Sequence, residues 1–183
     1  MPSNRALNVT VNFTSTEDAN GNYGGPVTFT QTSSTPPMNG VVDINGNIDL
    51  NQLPGNSNYN WAIGINFTLN AVVKDRNGNP VQCVWATPMS KACSVYAPDG
   101  TPATNMTVTQ NPSTPLLMSI ANPNNDQGKP SKAARTYTYK PGVMLPSANN
   151  YFIGLDPTMT NTGTKVIDGD DLDDDDLDLG RID

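Results

Sequence analysis

The chain has 183 residues, 36% of them hydrophobic and only 15% charged, with 16 Pro and 15 Gly, a length that suits one domain plus an appendage and excludes two full domains. Its formal net charge of −7 is local: residues 168–183 hold nine of the 17 acidic side chains and carry −8, while residues 1–167 carry +1. A body this close to neutral has no basic stripe for phosphate backbones, which excludes nucleic-acid binding, and the longest apolar runs, such as "PLLMSIA" (115–121), fall far short of the ~20 residues of a membrane helix.

The opening stretch "LNVTVNFTS" alternates strictly. Leu7, Val9, Val11 and Phe13 share one side, and Asn8, Thr10, Asn12 and Thr14 the other, the pattern of a strand with one buried and one wet face. After a turn over residues 18–25, "PVTFTQT" repeats the pattern with Val27 and Phe29. "GVVDI" and "NIDL" flank Asn45-Gly46, which predicts a short hairpin. The longest strand is "WAIGINFTLNAVV", where Trp61, Ile63, Ile65, Phe67 and Leu69 alternate with small or polar residues. "PVQCVWA" and "KACSVYA" read as a pair joined through Pro88, and "NMTVTQ" and "PLLMSIA" as another. "RTYTY" puts Tyr137 and Tyr139 on one face, and "NYFIGL" completes the set.

Ten or eleven short strands at this spacing, without an amphipathic helix, predict an all-β fold: an antiparallel β-sandwich, immunoglobulin-like or jelly-roll-like, over residues 5–160. Its expected core draws on Val9, Val11, Phe13, Phe29, Ile63, Ile65, Phe67, Leu69, Trp85, Val108, Ile120 and Ile153. Residues 161–183 have no aromatic side chain and a dense like charge, so they read as a flexible acidic tail.

The second half carries a family pattern. An Ile-x-Asn-x-Asn segment (120–124) is followed by a basic loop, the Arg135-x-Tyr137-x-Tyr139 strand, and a last strand ending Asp156-Pro157-Thr158-Met159-Thr160-Asn161. This resembles a group of small bacterial β-sandwich proteins whose chains end in Asp-Pro-x-hydrophobic-x-Asn, the DP-EP family. The resemblance spans residues 5–163 and rests on 116–161. It implies the fold and supplies no activity; Met159 replaces the usual aliphatic residue, and the acidic extension lies outside the pattern.

Three loops share the core Asp-x-Asn-Gly-Asn, at 18–22, 43–47 and 75–79. An EF-hand loop places oxygen ligands at 1, 3 and 5, Gly at 6 and a bidentate Glu at 12. Here Gly falls at position 4, and position 12 is Phe29, Pro54 or Ala86, so none is an EF-hand. Asn-Gly with an Asp two residues earlier is instead the chemistry of a β-turn closed by an Asx bond. Only the copy comprising Asp43, Asn45, Asn47 and Asp49 has a second carboxylate; a cofactor is not expected, but calcium, if bound, belongs there.

The tail offers Asp168, Asp170, Asp171, Asp173, Asp174, Asp175, Asp176 and Asp178, interleaved with Leu172, Leu177 and Leu179, a composition suited to docking on a basic protein surface. The chain has no His, which removes Ser-His-Asp and Cys-His catalysis and His-ligated metals; no P-loop or dinucleotide fingerprint is present. Cys83 and Cys93 allow either a cross-strand disulfide or two buried thiols. The N-terminal segment has no secretory apolar region, which favours a cytoplasmic location.

The expected function is therefore non-enzymatic, a binding or self-assembly sandwich that associates with itself or with a protein partner. The alternative is a calcium-dependent carbohydrate-binding or adhesive domain, with Tyr59, Trp61, Trp85, Tyr96, Tyr137, Tyr139 and Tyr151 as stacking candidates and the "NPNND" loop (122–126) supplying hydrogen bonds.

Overall fold

The computed structural model describes residues 3–53, 58–110, 113–124, 135–155 and 157–161. Twelve strands among them build two six-stranded sheets around one core. Of the expected acidic tail, 161–183, Asn161 is buried in the domain and residues 162–183 lie outside the described residues.

The first sheet is built on β1 (Ser3–Glu17) and β5 (Tyr59–Lys74). β1 pairs antiparallel with β2 (Tyr23–Gly24) and β3 (Val27–Thr35) on one side. On its other side it pairs with β5 in parallel, Leu7 opposite Ile65, Val9 opposite Phe67 and Val11 opposite Leu69. β9 (Leu117–Asn122) and β8 (Thr107–Gln110) continue the sheet antiparallel beyond β5. The second sheet centres on β10 (Thr136–Leu145). One edge of β10 takes β12 (Thr158–Thr160) and β11 (Tyr151–Gly154), and the other takes β7 (Cys93–Tyr96) and β6 (Val84–Trp85). β4 (Ile48–Asp49) runs parallel to β12.

The all-β sandwich expected from alternation is what the chain forms, and two details correct the expected pairing. The sheets are mixed, since β1/β5 and β4/β12 are parallel; a period of two puts the same residues on each face whichever way a neighbour runs. The segments containing β6 and β7 do not pair with each other. A four-residue helix, α1 (Met89–Ala92), separates them, and each lies along β10 instead. The hairpin at Asn45-Gly46 survives as one antiparallel bridge, Val42 to Ile48, with the Asp49 N–H on the Val41 carbonyl at 2.8 Å.

Of the expected core, ten residues are buried; Val108 and Ile153 are half-buried and pack against its rim. The two sheets meet through rings: Phe67 of β5 lies 5.6 Å from Tyr139 of β10. Cys83 and Cys93 are free and buried, and burial pushes their thiols up to about 11 and about 12. Register explains why they do not bond. Cys93 faces Pro141 and Val84 faces Met144 on the same edge of β10, which sets the cysteines roughly 13 Å apart along that strand, beyond disulfide reach.

Candidate functional site

The three Asp-x-Asn-Gly-Asn loops are one turn made three times. In each, the Asp N–H bonds the carbonyl of the second Asn at 2.9–3.0 Å and the Gly N–H returns to the Asp carbonyl at 3.0–3.1 Å. One Asp oxygen accepts the backbone N–H of both asparagines at 2.8–2.9 Å, and the other accepts the side-chain amide of the last. Gly21, Gly46 and Gly78 take φ of +83°, +89° and +86°, which is why Gly sits there. These N–H groups hold Asp18 and Asp75 below the usual carboxylate range, led by the bonds from Asn22 and Asn79 respectively. Burial pushes Asp43 up, and the bonds from Asn47, Asn45 and Gly46 outweigh it.

The copy at 43–47 does more than turn. The Asn47 carbonyl oxygen of the side chain accepts from the Thr158 N–H at 3.1 Å and from its hydroxyl at 2.9 Å, while the Tyr139 hydroxyl donates to the Gly46 carbonyl. The Phe29 N–H bonds the Ile44 carbonyl at 2.9 Å. This loop thus ties β3 of the first sheet to β10 and β12 of the second. Asp49, the second carboxylate, caps a 3-10 turn (Leu50–Gln52) and accepts from Asn51 and Gln52. A cation at this loop would compete with those donors, and among the described residues no three Cys, Asp or Glu converge.

The amides expected for sugar binding are also engaged. Asn122 is buried; its side-chain N–H₂ donates to the Asn161 side chain at 2.7 Å and its oxygen accepts the Asn124 N–H. Asn125 and Asp126 lie outside the described residues. Trp85, Tyr137 and Tyr139 are core, whereas Tyr59, Trp61, Tyr96 and Tyr151 keep some exposure. Arg5, to which its strand pattern assigned nothing, is almost fully buried. It donates to the Leu53 and Trp61 carbonyls and lies 5.7 Å over the Trp61 ring; desolvation lowers its pKa to about 10.

The outer faces of the two sheets are the larger surfaces, and they differ. Across the first sheet the register aligns four rows: Thr35, Ala6, Gly64, Ala121, Thr107; then Ser33, Asn8, Asn66, Ser119, Thr109; then Thr30, Thr10, Thr68, Leu117; then Thr28, Asn12, Asn70. None of these side chains is charged. The second row is one hydrogen-bonded chain: Asn8 donates to Ser33 at 2.8 Å, Asn66 to Asn8 at 2.9 Å and Ser119 to Asn66 at 2.7 Å. Asn70 donates to Asn12 at 2.8 Å in the same way. The matched residues of "LNVTVNF" and "INFTLNA" hold their amides side by side because β1 and β5 are parallel and unshifted over this stretch.

The outer face of the second sheet is grooved and basic. Thr136, Thr138 and Lys140 project from β10 beside Tyr96 of β7, around a recess of about 630 Å³. A neighbouring recess of about 360 Å³ shares Tyr96 and Lys140 and adds Lys91 and Phe152. Lys140 sits 5.7 Å over the Tyr96 ring. A Cβ at Gly142 would stand 2.5 Å from the Phe152 ring and nearer still to the Lys91 carbonyl, so the missing side chain makes room for both α1 and an exposed aromatic.

The fold and these surfaces define an all-β sandwich whose first sheet presents four uncharged rows, with a recess of about 430 Å³ beside Gly64, Ala121 and Thr107, and whose second sheet presents a basic, aromatic face. Comparison with protein-family models, with curated proteins and with solved structures returns no match.

Proposed function

We propose that the protein is a non-enzymatic assembly module that associates with a second copy of itself through the outer face of the first sheet, with the acidic tail as a docking segment. One observation carries this reading: the four aligned rows hold no charged side chain, Lys74 standing two rows beyond them opposite Thr16, and their amides already bond one another. Polar groups that are paired before contact lose little when water leaves, whereas unpaired ones cost several kcal/mol. Such a face can be buried cheaply, and having no charge to match it is complementary to itself in a two-fold pair.

The dimensions agree. The rows hold 17 positions, and at strand spacings of ~4.8 Å and row spacings of ~6.8 Å they cover roughly 550 Å² per copy, so a pair buries about 1,100 Å² before side chains at the rim are added, above the ~1,000 Å² of a specific contact. Leu117, 43% exposed, supplies an apolar contact at the end of the third row beside Thr68.

Sedimentation velocity at micromolar concentration tests the reading. The wild-type chain should sediment as a dimer, and Thr68→Arg, which sets like charges against each other across the two-fold, should give a monomer with an unchanged melting curve. Asn77→Lys, in the 75–79 turn, should leave the dimer intact. A wild-type chain that stays monomeric, or a Thr68→Arg dimer, overturns it.

A further inference from the structure

The basic groove on the second sheet points to an occupant within the same chain. We propose that residues 168–179 of the acidic tail fold back in cis and lie along the outer face of β10, their carboxylates against Lys140 and Lys91 and their leucines against Tyr96 and Phe152. This rests on the reading of the tail as a docking segment and names its site, while the contact between copies uses the opposite face and is tested separately.

Three observations converge. The first is where the tail starts. Asn161 is buried, its N–H bonded to the Arg135 carbonyl at 2.8 Å, and the Thr160 and Thr136 hydroxyls meet at 3.1 Å. The chain therefore leaves the domain beside Thr136, one of the residues that line the groove. The second is reach. β12 runs antiparallel to β10, so the tail must reverse. Lys140 lies about 13 Å up the strand from Thr136, and the seven residues from Asn161 to Asp168 span up to ~24 Å.

The third is chemistry. The described basic side chains are Arg5, Lys74, Arg76, Lys91, Arg135 and Lys140. Arg5 is buried, and Arg76 pairs with Glu17 at 2.9 Å. Lys74 lies on the first sheet opposite Thr16, and Arg135 interacts with Asp99, in the turn that borders the larger recess, while Lys91 and Lys140 both line the recesses of the second sheet. The tail alternates Asp blocks with single leucines at 172, 177 and 179. The groove holds two ammonium groups and two rings, one of them the 49% exposed Phe152. A tethered segment this short sees its site at an effective concentration in the millimolar range, so weak contacts suffice, and their charge makes them sensitive to salt.

Backbone and side-chain NMR of the full-length protein tests this. Raising NaCl from about 20 mM to about 500 mM shortens the Debye length roughly fivefold and should release the tail. Tail amides should lose positive heteronuclear NOEs, and Tyr96, Thr138, Lys140 and Phe152 signals should move. Replacing Asp173, Asp174, Asp175 and Asp176 together by Asn should move the same groove signals at low salt without touching the folded domain. Lys91→Glu with Lys140→Glu should free the tail. Unmoved groove signals in the Asp→Asn variant overturn the proposal; so do tail NOEs already absent at low salt. Groove shifts that grow with protein concentration would place the tail on another copy and overturn the cis assignment.

Discussion

Gly46 carries two constraints that its counterparts carry singly. At Gly78 the backbone is left-handed, φ +86°, but a Cβ would enter open space. At Gly46, with φ +89°, a Cβ would stand 2.7 Å from the Phe29 ring. Gly78→Ala should cost about 1–2 kcal/mol, the conformational penalty alone. Gly46→Ala should cost a further ~1–3 kcal/mol of overpacking, measured by urea denaturation; equal losses would show that the Phe29 contact yields freely. The glycine and its turn were legible in the residues. The ring over it was not, because the contact spans 17 positions and depends on how the loop folds across β3. Arg5 was hidden for a related reason: alternation places it on the inner side of β1, and only the packed fold supplies the two carbonyls that receive it.

At the scale of elements, the turns and the last strand make separate predictions. Asp18, Asp43, Asp75 and Asp99 are all held below the ordinary aspartate value, and Glu17 below the ordinary glutamate value, led by its hydrogen bond from Arg76. A carboxylate whose folded pKa is depressed stabilises the fold above the unfolded pKa, near 4, and that contribution is lost as pH falls through the folded value. Urea midpoints should therefore be flat from about pH 7 to about pH 5 and fall below about pH 4. Asp75→Asn should shrink the drop between neutral and acid pH; an unchanged drop would exclude Asp75 as a source. β12 closes the domain, since Met159 and Asn161 are buried and the strand joins β10 to β4. A chain ending at Asn161 should melt within about 4 °C of the full chain, the shift from ~1 kcal/mol at this size. One ending at Leu155 should lose its cooperative transition, and a cooperative melt would show β12 to be dispensable. Strand positions were readable because alternation sets which side chains are buried. Strand partners were not, as β6 and β7 illustrate: the same pattern serves a hairpin or two neighbours of β10.

For the whole molecule, charge separates two modes of contact. The four aligned rows of the first sheet have no ionic group, so association through them should persist in high salt, whereas tail docking on Lys91 and Lys140 should not. Sedimentation and NMR on one salt series would thus report each mode alone; a dimer dissolved by about 500 mM salt would argue for charge at the interface. Composition located the charge in the tail. It did not reveal the surface that answers it, because the groove gathers residues from α1, β7, β10 and β11.

The parallel register of β1 and β5 also orders how the molecule comes together. Bringing Asn12 to Thr30 closes a gap of 18 positions, and bringing Asn8 to Asn66 closes one of 58, so the second closure costs about 1 kcal/mol more in chain entropy. The β1–β3 hairpin should therefore form first and leave one edge of β1 open until β5 arrives. During that interval the β5 of a neighbouring chain offers the same matched residues, so crowding during refolding favours intertwined dimers by strand exchange.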